Sequence, residues 1–311
     1  AIGVLREKYL LHLYYGKRIS AYPDFMAHLP IHAGTTWMGT DLPGLDYSTE
    51  ALPMEYPTYG SADLRTPAFH AEYETGSAVT CLTYCGYAIY PGKKPLDGLP
   101  ATYVESESEA DTLEITLTDP LTGLKIILLY FVFEDYDVIT KSVRAVNESV
   151  QPIDVQSILS STTYLFDKNY EFVHLTGAWA RERHIQKQPL MNGTMQIDSK
   201  RVASGHIHSP FLALARPWAT ENQGEVYGYS FVYSGNFIMQ AETNQQNLVR
   251  VNIGINPFGF RWLLEPGEVF QAPEVVMTFS NSGFGTMSRR FHRLCRQHLC
   301  RGKYRDSERP V

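Results

Sequence analysis

The sequence of 311 residues contains no uninterrupted apolar run of about 18 residues or more, so it predicts no membrane-spanning helix. Its opening residues, AIGVLREKYLLHLYYGKRI, scatter charges among the apolar positions, whereas a secretory signal peptide places its charges first. Cysteine is scarce: two close pairs are present, Cys81 with Cys85 and Cys295 with Cys300, and neither has the C-x2-C spacing common in zinc sites. These absences predict a cytoplasmic protein with reduced thiols and no metal centre.

Positive charge is not in excess, since 27 lysines and arginines face 33 aspartates and glutamates, for a formal net charge of −6. A nucleic-acid partner is therefore not expected from bulk electrostatics. The chain also lacks the Gly-x-Ser-x-Gly nucleophile motif, the phosphate-binding P-loop and the dinucleotide-binding Gly-x-Gly-x-x-Gly motif after a strand. We therefore expect no cofactor.

Aromatic residues are abundant instead, at 13% of the chain, with 20 tyrosines. Aromatic side chains pack well on the pleated surface of a sheet, so this composition favours strands. Sugar rings also stack on aromatic faces, so the same composition is compatible with carbohydrate binding. The 44% of hydrophobic residues indicates a globular protein with a sizeable core.

Residues 111–149 show the strand pattern most clearly. Leu113, Ile115 and Leu117 alternate with polar residues, which predicts a strand with one wet face. The run KIILLYFVF that follows is continuously apolar, which predicts a strand buried on both faces, and the turn DPLTG joins the two strands. Similar runs recur at short intervals without alternating helices. We predict a mainly β, antiparallel sandwich of unusual size.

Two regions depart from this pattern. Residues 20–55 contain four prolines and three glycines, and a loop of this length is either functional or an extended cover over a sheet edge. Near the end, an apolar stripe with helical spacing predicts a helix at roughly 285–300, with arginines on its other faces. The stripe consists of Met287, Phe291, Leu294 and Leu299.

Candidate catalytic and metal-binding residues are few. His206 and His208 would share a face of a strand, and His184 is a possible third metal ligand; structural, hydrogen-bonded histidines are the alternative. Asp135 and Asp137 would also share a strand face, at a separation that suits the paired carboxylates of glycoside hydrolysis. A turn with hydrogen-bonded caps is the alternative for this acidic segment.

Six motifs then occur in one order along the chain: LPMEYPTYGSADLRTPAF, GLPATYVE, LTGAWARERH, YGYSFVYSGNF, INPFGFRWLLEPGEVFQAPEVV, and MSRRFHRLCRQHL followed by RPV. Together they resemble the N-terminal domain of glycoside hydrolase family 36 α-galactosidases, or melibiases, from about Tyr9 to Val311. The resemblance implies a large antiparallel β-supersandwich at residues 1–284. It also implies a C-terminal helical linker at residues 285–311 that leads toward an absent (β/α)8 catalytic barrel.

In that family the nucleophilic and acid/base aspartates of the retaining mechanism belong to the barrel, and neither motif occurs in this sequence. The resemblance therefore implies a parent α-galactosidase that hydrolyses terminal α-galactosides such as raffinose or melibiose, and a chain that is inactive alone. Its implied contributions are structural support, homo-oligomerisation and contact with its own barrel. A stand-alone carbohydrate-binding β-sandwich module is the alternative.

Some members of the family extend a long N-terminal loop to a neighbouring subunit's active site, where an aspartate and an arginine hold the substrate. The matching stretch here, residues 20–47, contains no arginine and so departs from that pattern. The resemblance leaves Trp37, Asp41 and Asp46 as substrate-binding candidates. Trp37 would stack on a sugar ring, and Asp41 would accept hydrogen bonds from hydroxyl groups.

Two charged clusters are expected to be structural. Asp63 and Arg65 lie in a well-matched motif, and we expect them to form an ion pair that anchors the long loop. The segment WARERH, residues 179–184, suggests a buried network of ion pairs, because buried charges need partners.

Overall fold

The computed structural model describes residues 1–19, 52–60, 63–303 and 305–307. Most of the ordered backbone in these ranges is β-strand, and a single long helix follows the last strand. In chain order the strands and the helix are β1 (Ile2–Leu5), β2 (Tyr9–His12), β3 (Phe69–Tyr73), β4 (Thr83–Pro91), β5 (Asp111–Asp119), β6 (Leu124–Phe133), β7 (Val138–Asn147), β8 (Ile153–Leu165), β9 (Glu171–Ala178), β10 (Arg181–Pro189), β11 (Gly193–Asp198), β12 (His208–Ala215), β13 (Val226–Val232), β14 (Phe237–Thr243), β15 (Val249–Ile255), β16 (Trp262–Leu264), β17 (Val269–Gln271), β18 (Glu274–Ser280) and α1 (Gly283–His298).

Two sheets contain almost all of these strands. The larger sheet has ten strands in the order β10-β9-β12-β13-β18-β7-β6-β5-β4, with β17 beside β7. The smaller sheet has six, in the order β11-β14-β15-β8-β16, with β3 beside β8, while β1 and β2 form a separate hairpin. The pairings between these strands are antiparallel, which confirms the predicted fold class.

The core lies between the two sheets as two clusters of buried apolar side chains. One cluster joins β5, β6 and β7 of the larger sheet to β3 and β8 of the smaller sheet. The other joins β9, β12, β13 and β18 to β11, β14 and β15. Because both clusters draw side chains from both sheets, removal of this apolar surface from water holds the sandwich together.

Strand β6 confirms the expectation of burial on both faces. Ile126 and Leu128 contribute to the core between the sheets. Leu129, Phe131 and Phe133 point the other way and join a third apolar cluster on the opposite face of the larger sheet. A strand that is covered on both faces has no solvent-facing positions, so its sequence is continuously apolar.

Helix α1 is the cover on that opposite face. Its buried side chains include Met287, Phe291 and Leu294, which belong to the third apolar cluster together with side chains of β6, β9 and β12. Gly228 of β13 makes the close approach possible, because a Cβ atom there would lie 2.7 Å from Phe291 and 2.8 Å from Met287. The helix begins and ends about two residues before the predicted limits of 285 and 300. Among the described residues, no helix is long and apolar enough to cross a membrane.

The segment at residues 179–184 corrects the expectation of a buried ion-pair network. All nine residues of β10 are exposed, and Trp179 is 86% exposed. The strand is the last in the larger sheet and pairs with β9 on one side only, so its charges face solvent. Charged side chains and a register shift between Arg181 and His184 are features that keep a sheet edge from pairing with another chain.

Substitution of Leu294 by alanine tests whether α1 is part of the core. Leu294 is fully buried, so Leu294→Ala is expected to lower the free energy of unfolding by about 2–5 kcal/mol through lost apolar contact and a cavity. His292→Ala, on the exposed side of the same helix, is the control and is expected to change it by less than about 0.5 kcal/mol. Urea unfolding measures both, and equal effects would show that the helix does not pack on the sheet.

Candidate functional site

The substrate-binding candidates Trp37, Asp41 and Asp46 lie outside the described residues. The structure does describe the chain on both sides of their segment. Before it, residues 15–18 line a groove of about 580 Å³ that also includes Asp137 and Arg290. After it, the chain runs along β2, where the His12 N–H donates to the Pro53 carbonyl at 2.7 Å.

The buried carboxylate of Glu55 holds the chain that follows this segment, at residues 52–55. Glu55 accepts hydrogen bonds from Tyr130 Oη at 2.6 Å, from Lys141 Nζ at 2.6 Å and from His12 Nδ1 at 2.8 Å. The four residues are each at most 6% exposed. Lys141 Nζ also donates to the Thr162 carbonyl at 2.8 Å, which ties the group to β8. We name Glu55, His12, Tyr130 and Lys141 the carboxylate anchor.

The carboxylate anchor holds Glu55 in its charged form. Burial alone would raise the pKa of this carboxyl, but Lys141 and His12 outweigh burial and lower the pKa from 4.5 to about 2. Burial, followed by the nearby charge of Glu55, raises the pKa of Tyr130, so this phenol stays protonated and donates. Because Glu55 is ionised at neutral pH, the His12 Nδ1 atom facing it carries a proton.

A second buried cluster lies where the chain turns into β3. Asp63 accepts from Arg65 Nε at 2.9 Å and from Arg65 Nη2 at 3.0 Å, which confirms the predicted ion pair. Arg250 Nη2 also bonds Asp63, and Arg250 Nε donates to Tyr164 Oη at 2.9 Å. Arg65 Nη2 donates to the carbonyl of Leu52, the first described residue after the long segment. We name Asp63, Arg65, Tyr164 and Arg250 the arginine anchor.

The arginine anchor is electrically balanced by a further carboxylate. Glu242 Oε2 accepts the Thr66 N–H at 2.9 Å, and the Thr66 carbonyl accepts Arg250 Nη1 at 3.0 Å. Burial opposes the charge of Arg250, but Tyr164, Asp63 and Glu242 together raise the pKa of the guanidinium. Asp63 thus pairs directly with both arginines, and the charge of Glu242 adds to its effect on Arg250.

These two anchors position backbone rather than perform chemistry. Their charged groups are buried and already bonded to one another, so the anchors offer no open face to a substrate. The described parts of the chain contain no group of three or more His, Cys, Asp or Glu side chains that could hold a metal ion. The anchors hold residues 52–55 on the sandwich, since Arg65 bonds the Leu52 carbonyl and Lys141 bonds Glu55.

The paired-carboxylate hypothesis for Asp135 and Asp137 is wrong. Strand β6 ends at Phe133, and a short 3-10 turn at Glu134–Tyr136 leads into β7. Asp137 follows in the left-handed conformation, with φ of 52°, and its carboxylate bonds Arg290 of α1. Because this segment is a turn, Asp135 and Asp137 do not lie on one face of a strand. The alternative of a turn is confirmed.

The three-histidine metal hypothesis is also wrong. His184 and His208 pair with Thr176 from opposite sides of β9, and His206 lies exposed ahead of β12. The ring next to His208 is that of His174, with centroids 5.7 Å apart. Burial lowers the pKa of both histidines, and the neighbouring His208 lowers that of His174 further. Both rings are therefore neutral side chains at neutral pH.

Sequence reasoning missed the carboxylate anchor and Arg250. A usable signal was present, because His12 interrupts YLLHLYY, Lys141 interrupts VITKSV and Arg250 interrupts LVRVNI. A single polar or charged residue inside an apolar strand points to a buried partner of opposite charge. The signal does not say which partner, since Glu55 and Lys141 are 86 residues apart.

Family models match the chain in two adjoining parts. The model described as the glycosyl hydrolase family 36 N-terminal domain matches residues 8–265. The model described as Melibiase matches residues 269–311, which include β17, β18 and α1.

Curated relatives match nearly the whole chain. The chain is 46% identical to alpha-galactosidase AgaA of Geobacillus stearothermophilus over 308 residues, which are 99% of this chain and 42% of that protein. It is 38% identical to the bifunctional alpha-galactosidase/sucrose kinase AgaSK of Mediterraneibacter gnavus over 306 residues, 97% of this chain and 32% of that protein. The chain thus spans less than half the length of these relatives.

Solved structures agree in fold. The crystal structure of AgaA superposes with a TM-score of 0.96 at 45% identity, covering 100% of this chain and 43% of the AgaA chain. A variant of AgaA in complex with raffinose gives the same TM-score, identity and coverage. The galactosidase domain of AgaSK superposes with a TM-score of 0.95 at 37% identity, covering 100% of this chain and 43% of that chain.

The ionised state of Glu55 makes a prediction about stability and pH. Near pH 7, Glu55→Gln is expected to lower the free energy of unfolding by about 3–5 kcal/mol, because Lys141 keeps a buried, unpaired charge. The folded pKa is lowered, so this stabilisation is complete above about pH 4.5 and is lost as pH falls toward 2. The difference between wild type and variant should therefore shrink over that interval.

Glu148→Gln is the matched control, because Glu148 pairs with Lys125 at the surface. An exposed pair contributes about 0–1 kcal/mol, and it is screened by salt. Urea unfolding at a series of pH values measures both variants. A loss in Glu55→Gln that does not change with pH, or one that equals the control, would contradict a charged Glu55.

Proposed function

The chain belongs to the family of glycosyl hydrolase family 36 N-terminal domains. From this we propose that it is the non-catalytic N-terminal part of an α-galactosidase. One observation carries the proposal. All of this chain superposes on 43% of the AgaA chain, and the remainder of AgaA has no counterpart here. The reaction itself is then expected to take place in a barrel joined beyond the helical linker at 285–311, and the division at residues 284 and 285 stays a prediction.

The described residues support a scaffolding role. The buried charges of Glu55, Asp63 and Arg65 form ion pairs within the two anchors. Asp137 forms an ion pair with Arg290. A retaining glycosidase needs two carboxyl groups about 5–5.5 Å apart, with room for the sugar between them. The acidic residues at 134–137 lie on a turn instead, and this supports a proposal in which catalysis belongs to another domain.

The substrate class follows from the relatives. Variants of AgaA are described in complex with raffinose and with stachyose. We extend this to the proposed enzyme as hydrolysis of terminal α-galactosides of the raffinose type. A cytoplasmic location and a homo-oligomeric state complete the proposal.

Residues 20–47 are proposed to contribute to substrate binding at a neighbouring subunit's active site. The carboxylate and arginine anchors hold residues 52–55 on the sandwich, which gives the chain next to this segment a rigid base. Groups that bind a substrate act best when rigid elements position them. Trp37 would stack on a sugar of the substrate, and Asp41 and Asp46 would accept hydrogen bonds from its hydroxyl groups.

The first test is hydrolysis by the chain alone. Purified chain incubated with an aryl α-galactoside is expected to release no aryl alcohol above the buffer rate, because the catalytic carboxylates belong to another domain. Release that copurifies with the chain and disappears in Asp135→Asn would overturn the proposal.

The second test concerns Trp37 in the longer enzyme of which this chain would be the N-terminal part. Trp37→Ala is expected to raise KM for raffinose about threefold to tenfold through lost stacking, with a smaller change for an aryl α-galactoside, which lacks the distant sugars. Trp218→Ala removes another exposed tryptophan and is the control. Equal effects on both substrates would show that Trp37 does not contact the distal part of raffinose.

A further inference from the structure

A groove of about 460 Å³ lies on the outer face of the smaller sheet, where β3 pairs with β8. His70 and Glu72 of β3 line it, and they alternate with Phe69, Ala71 and Tyr73, which face the core. The register of β8 shifts between His70 and Ala71, so β8 carries one extra residue there. Such bulges redirect side chains, and they are common beside binding sites.

The loop between β15 and β16 forms the facing wall. Asn256 Oδ1 accepts the Phe258 N–H at 3.0 Å, and the Phe260 N–H donates to the Pro257 carbonyl at 3.1 Å. Gly259 takes a φ of 70°, which this tight turn requires. The turn places Phe260 and Arg261 at the groove.

Hydrogen bonds and a ring contact with neighbouring side chains hold the polar groups of the groove in position. Arg261 Nε donates to both oxygens of Asp154, at 2.9 and 2.8 Å, while its side chain stays 77% exposed. Gln156 Nε2 donates to Glu72 Oε2 at 3.2 Å. The His70 ring lies 4.4 Å from the ring of Tyr59. Planar polar groups fixed in this way can bind a ligand without losing much side-chain freedom.

The charges of the groove restrict the class of ligand. Glu72 in the groove and Asp154 beside it carry two negative charges against the one positive charge of Arg261, so the groove does not favour anions. Burial lowers the pKa of His70, although Glu72 opposes the change, so the ring is neutral near pH 7 and offers one donor and one acceptor. Phe260 adds an apolar surface, but the many polar groups would remain unsatisfied against a wholly apolar ligand.

We propose that this groove binds a neutral carbohydrate. Hydroxyl groups can donate to Glu72 and accept from Arg261, Gln156 or His70, while a sugar face packs on Phe260. The volume lies within the usual range of about 300–1,000 Å³ for small-ligand sites. The proposal does not depend on the chain being part of a galactosidase, because every residue it uses is on the sandwich.

The test is calorimetric titration of the chain with raffinose and methyl α-galactoside, with galacturonate as a charged comparison. At least one neutral sugar is expected to bind, and galacturonate is expected to bind more weakly because of Glu72 and Asp154. Glu72→Gln and His70→Phe are expected to weaken sugar binding about tenfold, as one lost charged or neutral hydrogen bond would. The thermal unfolding midpoint of each variant confirms that it folds.

One variant serves as the control. Gln186→Ala, on the exposed edge strand β10, is expected to leave the dissociation constant unchanged. Absence of any binding, or binding that the groove variants leave intact, would overturn the proposal. Binding lost in Trp37→Ala alone would also overturn it, and would assign the sugar to residues 20–51 in support of the proposed function. Tighter binding of galacturonate than of the neutral sugars would refute the charge argument.

Discussion

The burial of the Glu55 carboxylate is the constraint on which the positions of the β1–β2 hairpin and residues 52–55 depend. A buried charge is stable only among partners, and Glu55 draws one from each of β2, β6 and β7. Since these partners come from different elements, satisfying the carboxylate places the β1–β2 hairpin and residues 52–55 on the larger sheet. The arginine anchor likewise connects β8 and β15 to residues 63–65, which lie ahead of β3.

In the described parts of the sandwich, the buried charges of the two anchors are paired with one another. Charges that are paired and enclosed hold backbone in place, whereas catalysis needs groups that reach a substrate. Under the proposed function, the rigid base would deliver residues 20–51 to another subunit, and the outer groove would give the same sandwich a second, independent contact with sugar. Both roles use the sheets as a platform for loops.

Local patterns in the sequence predicted the features that depend on neighbours along the chain. The continuous apolar run of β6, the stripe of α1 and the Asp63–Arg65 pair all follow from residues a few positions apart. The anchors could not be predicted in this way, because Asp63 and Arg250 are 187 residues apart and meet only through strand order. The error at residues 179–184 has the same origin, since only the topology shows that β10 is an edge. Trp37, Asp41 and Asp46 stay predictions.

Hydrogen exchange tests the central claim most directly, because the His12 N–H bonds the Pro53 carbonyl and the Glu55 N–H bonds the Leu10 carbonyl. If the carboxylate anchor holds residues 52–55 on β2, both amides are expected to exchange in the wild type as slowly as the amides of β6. In Glu55→Gln, measured where the protein stays folded, these two amides are predicted to exchange faster while β6 keeps its protection. Unchanged protection at both amides in the variant would contradict the claim that Glu55 fixes this part of the chain.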